Sequence, residues 1–492
     1  MKDGSGSTTT GTITALSTDG RGVMRSEDGR VVFVPGALPG ETVTARIRRS
    51  HRSYADAQLV TRAHSSPLRV TPACVHYDDC GGCQIQHLAA AEQGPTKLKW
   101  FLETCQRVGG FRGPAHEDLA ARMSLLSLGG TGYRVRARLQ LTPPVQATGS
   151  PWILGFAAGE DDDAKDLGRR SVVGITSCSV LHPDLAGALP ILQDVLNKGS
   201  SLSLPREPLQ LELTRCHGPW SPGGPMHNEP ALALTLYRCG RKRIPLAAGQ
   251  HRALQQALAA RGLTALTSDI LMIRPEVLET TLPLAVQESD LAPFPSHRLG
   301  FLQPHTTAPI AYRSWLRQRV ALTHSDRSPP GILWDLYGGS GLLGLSLLPP
   351  KDALEQRPAV GSCVIVESNR HALSACPSPN SKGAVVLQPI ETSDFLARAQ
   401  AGGWPRPRWI IADPPRSGLG RDIVAALAGI LRTKAPEGPA DLFLVSCDGA
   451  AAARDLAELT QLGFCVEGLT VVDAFGQTRH YEVLSHLRWQ GP

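Results

Sequence analysis

No stretch of this 492-residue chain reaches the roughly 18 consecutive apolar residues that a membrane span needs. Met1 to Thr10 is a Gly/Ser/Thr tail without the apolar centre of a secretory signal. A strong excess of either charge is missing too: 50 Lys plus Arg stand against 44 Asp plus Glu, and the net +6 permits a polyanionic partner without demanding one. Nor are the 11 cysteines spaced as a disulfide framework, since three crowd between Cys74 and Cys83 and the rest are scattered. These absences exclude a membrane protein and a disulfide-stapled secreted one, and they predict a cytoplasmic chain whose cysteines serve a metal or catalysis. Its length exceeds what one core serves, so about two to four domains are expected.

From Thr12 to Leu59 short alternating runs, such as Val31 to Val34 and Glu41 to Ile47, are separated by Gly20, Gly22, Gly29, Gly36 and Gly40. This spacing predicts a small antiparallel barrel. Arg46, Arg48, Arg49, Arg52 and Arg62 gather there with His51 and Tyr54 interleaved, as a nucleic-acid face requires, although a solvated basic loop has the same composition. Beyond it, strand-like runs at Tyr133 to Thr142, Leu209 to Thr214 and Ala231 to Tyr237 alternate with helical ones and with Pro/Gly-rich loops around Pro143 to Pro151 and Pro219 to Pro225. An α+β middle part follows. After Leu299 apolar strands (GILWDLY, SCVIVES, RWIIADPP, DLFLVSC) alternate with helices, the pattern of a mainly parallel sheet covered on both faces. Ligands of such sheets sit at the carboxyl ends of the strands.

Each of these strands ends in residues able to carry chemistry. The first runs into Asp335-Leu336-Tyr337-Gly338-Gly339-Ser340-Gly341, where glycines let the backbone turn tightly against a ligand. The second ends at Glu367, an acceptor suited to ribose hydroxyls, and together the two signals favour an adenosyl cofactor. The third ends in Asp413-Pro414-Pro415-Arg416, whose prolines fix the direction of a carboxylate and a guanidinium. The fourth ends in Ser446-Cys447-Asp448; a lone cysteine is usually inert and buried, but this one stands beside three other motifs.

In order and spacing these segments resemble the RNA uracil-C5 methyltransferase family. The family's Asp-Leu-Tyr-Cys-Gly-x-Gly corresponds to Asp335 to Gly341, its Glu strand to Val364 to Asn369, and its Asp-Pro-Pro-Arg to Asp413 to Arg416. Its Ser-Cys-Asn-Pro-x-Thr-x-Ala-Arg-Asp-Leu corresponds to Ser446 to Leu456, and its Phe-Pro-Gln-Thr-x-His-x-Glu to Phe475 to Glu482. The resemblance implies a C-terminal Rossmann-like methyltransferase domain (299–492), a cysteine-cluster and central α+β RNA-binding domain (65–298) and an N-terminal RNA-binding barrel (1–64). That barrel, with Phe33-Val34-Pro35-Gly36 and Pro39-Gly40-Glu41, looks like a TRAM domain.

The same resemblance implies that Gln303 (in Phe301-Leu302-Gln303), Tyr337, Glu367 and Asp413 line an S-adenosylmethionine site, with Cys447 as nucleophile and Glu482 as base. The chemistry agrees. C5 of uracil is too weak a nucleophile to attack a sulfonium methyl until a thiolate adds at C6, and a base must then remove the C5 proton so that the thiolate can leave. Arg416 either stabilises the developing charge or positions the RNA. Cys74, Cys80 and Cys83, spaced C-x5-C-x2-C, and the distant Cys178 could hold an iron–sulfur cluster or zinc by their sulfur chemistry. The resemblance implies a [4Fe-4S] cluster. Ribosomal RNA is the implied partner of a chain with both TRAM barrel and cluster, transfer RNA the alternative, and the protein is expected to be monomeric with no membrane partner.

Gly338 stands where the family has Cys, Asp448-Gly449 where it has Asn-Pro, Ala451 where it has Thr, and His305 where Asn is common. An inward-pointing Asp448 would raise the Cys447 thiol pKa. Two other functions remain to be separated. An adenine-N6 methyltransferase shares Asp-Pro-Pro but follows it with an aromatic and needs no cysteine, against Arg416 and Cys447 here. A catalytically inactive RNA-binding assembly factor could keep the fold, against the retained Cys447 and Glu482.

Overall fold

A computed structural model describes residues 6–143, 151–159, 171–198, 207–216, 231–238, 256, 264–265, 271–274, 303–323, 329–349, 359–373, 376, 384–433 and 440–491. Phe301, Leu302 and the proline-rich stretches 144–150 and 219–225 lie outside them.

Strands β1 (Thr8–Thr12), β2 (Ala15–Leu16), β3 (Gly22–Arg25), β4 (Val31–Val34), β5 (Thr42–Ser50) and β6 (Tyr54–His64) form the first sheet, in the order β1-β5-β6-β4-β3-β2. Only the β4–β6 pair is parallel. Alternation buries Val32, Val34, Val43, Ala45, Ile47 and Ala55 as its core. Two Ser-x-Asp-Gly turns close its hairpins: Ser17 and Ser26 hydroxyls donate to Asp19 and Asp28, and Gly20 and Gly29 take φ of 87° and 82°. A side chain at either φ would be strained, so glycine is required. Glu41 ties this sheet to the next segment, accepting from the Leu38 and Ser66 amides and from Arg69 at 2.5 Å. Burial alone would raise its carboxyl; the Arg69 guanidinium and the two amides hold it below the usual range instead.

The chain continues through α1 (Ala90–Arg107), α2 (Pro114–Ala121) and β7 (Met123–Ser127). A second, antiparallel sheet follows, built from β8 (Arg136–Thr142), β9 (Ile153–Ala157), β10 (Val172–Gly174), β11 (Leu209–Cys216), β12 (Ala231–Arg238), β13 (Thr264–Ala265) and β14 (Leu271–Arg274) in the order β10-β9-β8-β11-β12-β14-β13. Helix α3 (Pro183–Lys198) lays Leu185, Leu189 and Leu192 on its apolar face.

The third sheet comprises β15 (Gly331–Leu336), β16 (Val360–Val366), β17 (Ala384–Gln388), β18 (Trp409–Ala412), β19 (Asp441–Ser446), β20 (Phe464–Asp473) and β21 (Glu482–Trp489). Its order is β17-β16-β15-β18-β19-β21-β20-β7, with the first five strands parallel and β21 antiparallel. Helices α4 (Ala308–Thr323), α5 (Leu342–Leu345) and α6 (Arg370–Leu373) cover one face, while α7 (Thr392–Gln400), α8 (Arg421–Thr433), α9 (Gly449–Gln461) and α1 cover the other. Burial on both faces is why these strands read as continuous apolar runs. Within β15, Trp334 and Leu336 enter one core and Leu333 the other.

Residues 90–127 sit with this third sheet rather than with the middle one among which the sequence pattern groups them. β7 extends it beside β20, and α1 buries Trp100, Phe101 and Cys105 against it. The signal was faint because β7 pairs with a strand some 340 residues later, a contact that local periodicity cannot show. Lys97 of α1 is fully buried and pairs with Asp473 at 2.6 Å, also donating to the Phe475 carbonyl at 2.9 Å. Burial lowers the ammonium pKa and Asp473 opposes the shift. Replacing Lys97 by Met leaves a buried carboxylate unpaired, so the urea midpoint is expected to fall by the equivalent of about 3–5 kcal/mol. A loss under about 1 kcal/mol would mean that water reaches the pair.

Candidate active site

The strand order reverses beside β15, whose two neighbours are β16 and β18, and the candidate residues collect at the carboxyl ends around this point. Leaving β15, Tyr337, Gly339 and Gly341 take φ of 58°, 56° and 80°, a left-handed series that bends the chain sharply into α5. Asp335, buried beneath the turn, accepts from Gly344 N at 2.9 Å. Burial pushes its carboxyl up to about 7, with the charges of Asp413 and Glu367 adding to the rise. Glu367, at the end of β16, accepts from Gly339 N at 3.1 Å and Asn369 N at 2.7 Å, one bond per oxygen. Each oxygen keeps a lone pair for a further donor. The Tyr337 ring turns away toward Thr392 and the α7–α8 layer, so this residue gives the turn its backbone.

Beyond β18, the Asp413 carboxylate accepts a long 3.5 Å bond from Gln303 Nε2. Loss of water raises Asp413 to about 7. β21 runs antiparallel to β19 with Val483 opposite Ser446, which stands Glu482 beside Cys447. Glu482 is 3% exposed and its Oε2 finds no hydrogen-bond partner among the described residues. Burial drives its carboxyl well above the ordinary range, the Asp413 charge adds to this, and Arg416 opposes it. The Cys447 thiol is pushed up to about 11, first by burial and then by Glu482 and Asp413, again against Arg416. Asp448 does not join them. It is the N-cap of α9, its Oδ1 accepting from Ala451 N at 2.8 Å, a task Asn performs equally well. Gly449 is needed where it stands, because a Cβ there would collide with the Tyr481 hydroxyl.

His305 likewise acts as a cap: its Nδ1 accepts from the Thr307 and Ala308 amides at 3.1 and 3.2 Å, at the start of α4. Burial lowers its pKa to about 4, so the ring is neutral and free to accept. Sequence reasoning missed Tyr312, one turn into α4. Its buried hydroxyl has no partner among the described residues and feels Glu482, Asp413 and Cys447. The only available signal was its i, i+3 spacing from Trp315, which packs on Phe443 of β19.

A cleft of about 1350 Å³ opens between the first sheet, the second sheet and Arg479. Arg48, Arg49, Arg62, Arg134 and Arg138 line it, while Arg46 and Arg52 of the basic cluster do not. All four predicted cysteines, Cys74, Cys80, Cys83 and Cys178, face the same cleft as free thiols. Cys178 reaches the others because its segment bonds to residues 132–134 while Gly81 N donates to Ala157 O at 3.0 Å. Burial raises Cys83 to about 12, and the charges of Cys178, Cys80 and Cys74 act on it. Among the described residues no three His, Cys, Asp or Glu side chains converge tightly enough to grip one metal ion. No helix among them is long and apolar enough to cross a membrane.

Comparison with known proteins defines the class and then the family. The fold superposes, with a TM-score of 0.59 over 97% of this chain and 99% of the other, on the crystal structure of Pyrococcus abyssi tRNA (uracil-54, C5)-methyltransferase in complex with S-adenosyl-L-homocysteine. At 18% identity the likeness is one of fold, that of a Rossmann-like methyltransferase. Residues 5–60 match the TRAM domain. The 23S rRNA (uracil(1939)-C(5))-methyltransferase RlmD of Halomonas elongata is 30% identical over 472 residues, covering 96% of this chain and 87% of its own length. Its counterpart from Dichelobacter nodosus is 30% identical over 478 residues, covering 96% of each chain. The chain therefore belongs to the RNA uracil-C5 methyltransferase family.

The charge arrangement makes a direct prediction. With the thiol at about 11, alkylation of Cys447 by iodoacetamide in the protein alone is expected to rise about tenfold per pH unit from pH 8 to 10. An inflection below pH 8, followed by mass spectrometry of the Cys447 peptide, would show the thiolate to be stabilised by a charge not seen here.

Proposed function

We propose that this enzyme transfers the methyl group of S-adenosylmethionine to C5 of one uridine in 23S ribosomal RNA, equivalent to the uracil 1939 of its named relatives, through a covalent Cys447 adduct. The observation that carries this reading is the facing pair Cys447 and Glu482 at the ends of β19 and β21, with an unpartnered Glu482 oxygen turned to the site. Cys447 Sγ adds to C6 as thiolate, the electrons move to C5, and C5 takes the methyl from the sulfonium donor. Glu482 then removes the C5 proton, and the C6–S bond breaks to restore the ring. A carboxyl with a raised pKa is, once ionised, a stronger base for that step. Arg416 is the neighbour favouring both thiolate and carboxylate. Gln303, Tyr337, Glu367 and Asp413 hold the donor, Tyr337 through the backbone of its turn, Glu367 through its two spare lone pairs and Asp413 opposite a positive sulfur.

The arginine-lined cleft is the path of the RNA backbone, and ribosomal RNA is favoured over transfer RNA by relatives at 30% identity that are named for 23S rRNA. Cys74, Cys80, Cys83 and Cys178 hold a [4Fe-4S] cluster. Four free thiols lining one cleft, three of which (Cys80, Cys83 and Cys178) feel the charge of others in the set, are a sulfur-only donor set of that kind. A cluster also needs its ligands further apart than a single zinc ion does. The enzyme acts as a cytoplasmic monomer.

Cys447→Ala is expected to bind RNA and donor but to transfer no methyl and trap no RNA. Glu482→Gln should methylate once and accumulate a denaturant-resistant protein–RNA adduct carrying the methyl group. Turnover by Cys447→Ala, or wild-type turnover without adduct by Glu482→Gln, would overturn the assignment, and methyl transfer to transfer RNA in preference to a 23S transcript would change the substrate. Anaerobically purified protein should be brown, losing its broad visible absorption in Cys83→Ser; colourless protein with one zinc would replace the cluster by that ion.

A further inference from the structure

Glu482 opens β21, paired with Val472 of β20, and the loop that leads into it is held largely from the cysteine-bearing part of the chain. Gln477 takes φ of 70°, a left-handed conformation that a non-glycine residue keeps only where its surroundings impose it. Gln93 grips it twice, its Oε1 accepting from Gln477 N at 2.7 Å and its Nε2 donating to Gln477 Oε1 at 3.1 Å. The Gln477 carbonyl accepts from both Gln84 N and Ile85 N at 3.1 Å. Gln84 Oε1 also accepts from Arg479 N at 3.2 Å, while its Nε2 donates back to Gly81 O at 2.7 Å. Tyr133 adds a bond from its hydroxyl to Gly476 O. Gln84 follows Cys83 directly, so one side chain is shared between the cysteine loop and the loop leading to Glu482.

Cys447 depends on none of this. It follows directly on β19 and is supported by the sheet rather than by the Gln477 turn. Glu482 shares that sheet support, but of the two only Glu482 also stands at the end of the clamped loop.

We propose that Gln84 and Gln93 are positioning residues for the proton abstraction by Glu482, so that release of methylated RNA from Cys447 depends on the fold of the cysteine segment while formation of the adduct does not. This rests on the roles proposed above for Cys447 and Glu482. Loosening the Gln477 turn displaces the carboxylate while leaving the thiol and donor site in place, and because Gln84 and Arg479 also line the RNA cleft the rates are compared at saturating RNA. The elimination step slows, and the methylated adduct persists.

The test uses the full-length protein, labelled S-adenosylmethionine and a 23S transcript containing the uridine, with Gln84→Ala and Gln93→Ala compared with Glu482→Gln. Gln93 is buried and its replacement could impair folding, whereas Gln84 is half-buried and provides the milder variant. For Gln84→Ala the steady-state rate should fall about tenfold, with methyl transfer in the first turnover within twofold of wild type and adduct accumulating. Gln84→Glu, which keeps the acceptor for Arg479 N but sets a carboxylate oxygen against Gly81 O in place of a donor, should recover only part of the rate. Amide hydrogen exchange of residues 475–482 should quicken in Gln84→Ala without RNA present. First-turnover and steady-state rates falling in proportion, or neither changing, would overturn the proposal. If Glu482→Gln accumulates adduct and the glutamine variants do not, only this inference fails; if Glu482→Gln accumulates none, the roles of Cys447 and Glu482 fail with it.

Discussion

The antiparallel register of β21 on β19, with Val483 opposite Ser446, is what the rest of the site depends on. It puts a thiol and a carboxyl from widely separated segments at one end of one sheet, and it does so inside protein rather than at its surface. Because strand side chains alternate, Glu482 and Leu484 fall on the α4 face, where Trp315 and Tyr312 already pack. A slip of one residue would turn Glu482 toward α1 and α9 and leave Cys447 without its partner.

Burial then sets the charges. Asp335, Asp413 and Glu482 all have raised carboxyl pKa values, the first two at about 7, with desolvation as the leading cause in each. Arg416 is the cation that opposes the rise at Glu482 and at Cys447. Burial thus disfavours the charged forms of these acids and an arriving cation favours them, which suits a positively charged sulfur donor. The protein's own charge is therefore poised toward the ligand rather than satisfied internally, and the orphaned oxygens of Glu482 and Tyr312 say the same of its hydrogen bonds.

The departures from the family pattern are absorbed by backbone chemistry. Asp448 caps α9 as Asn would, and His305 caps α4 through a neutral ring nitrogen. Gly449 makes room for the Tyr481 hydroxyl. Asp448 is turned to the first amides of its helix, and the charges that act most on Cys447 are those of Glu482, Asp413 and Arg416.

From the sequence alone came the parallel sheet of the C-terminal part, the barrel of the N-terminal part and the motif at each strand end. Those are written locally, in apolar runs of strand length ended by Gly, Pro and polar residues, and the motif order carried the family resemblance. Tertiary structure alone decided that residues 90–127 join the third sheet, that Asp448 turns to its helix, that Arg134, Arg138 and Arg479 complete the cleft, and that Gln84 and Gln93 hold the Gln477 turn. Apart from the local Asp448 cap, each is a contact between residues far apart in the chain, made by a side chain whose direction local propensity does not set. Spacing along the sequence shows which residues are present at a strand end; only packing determines which way they face and what they touch.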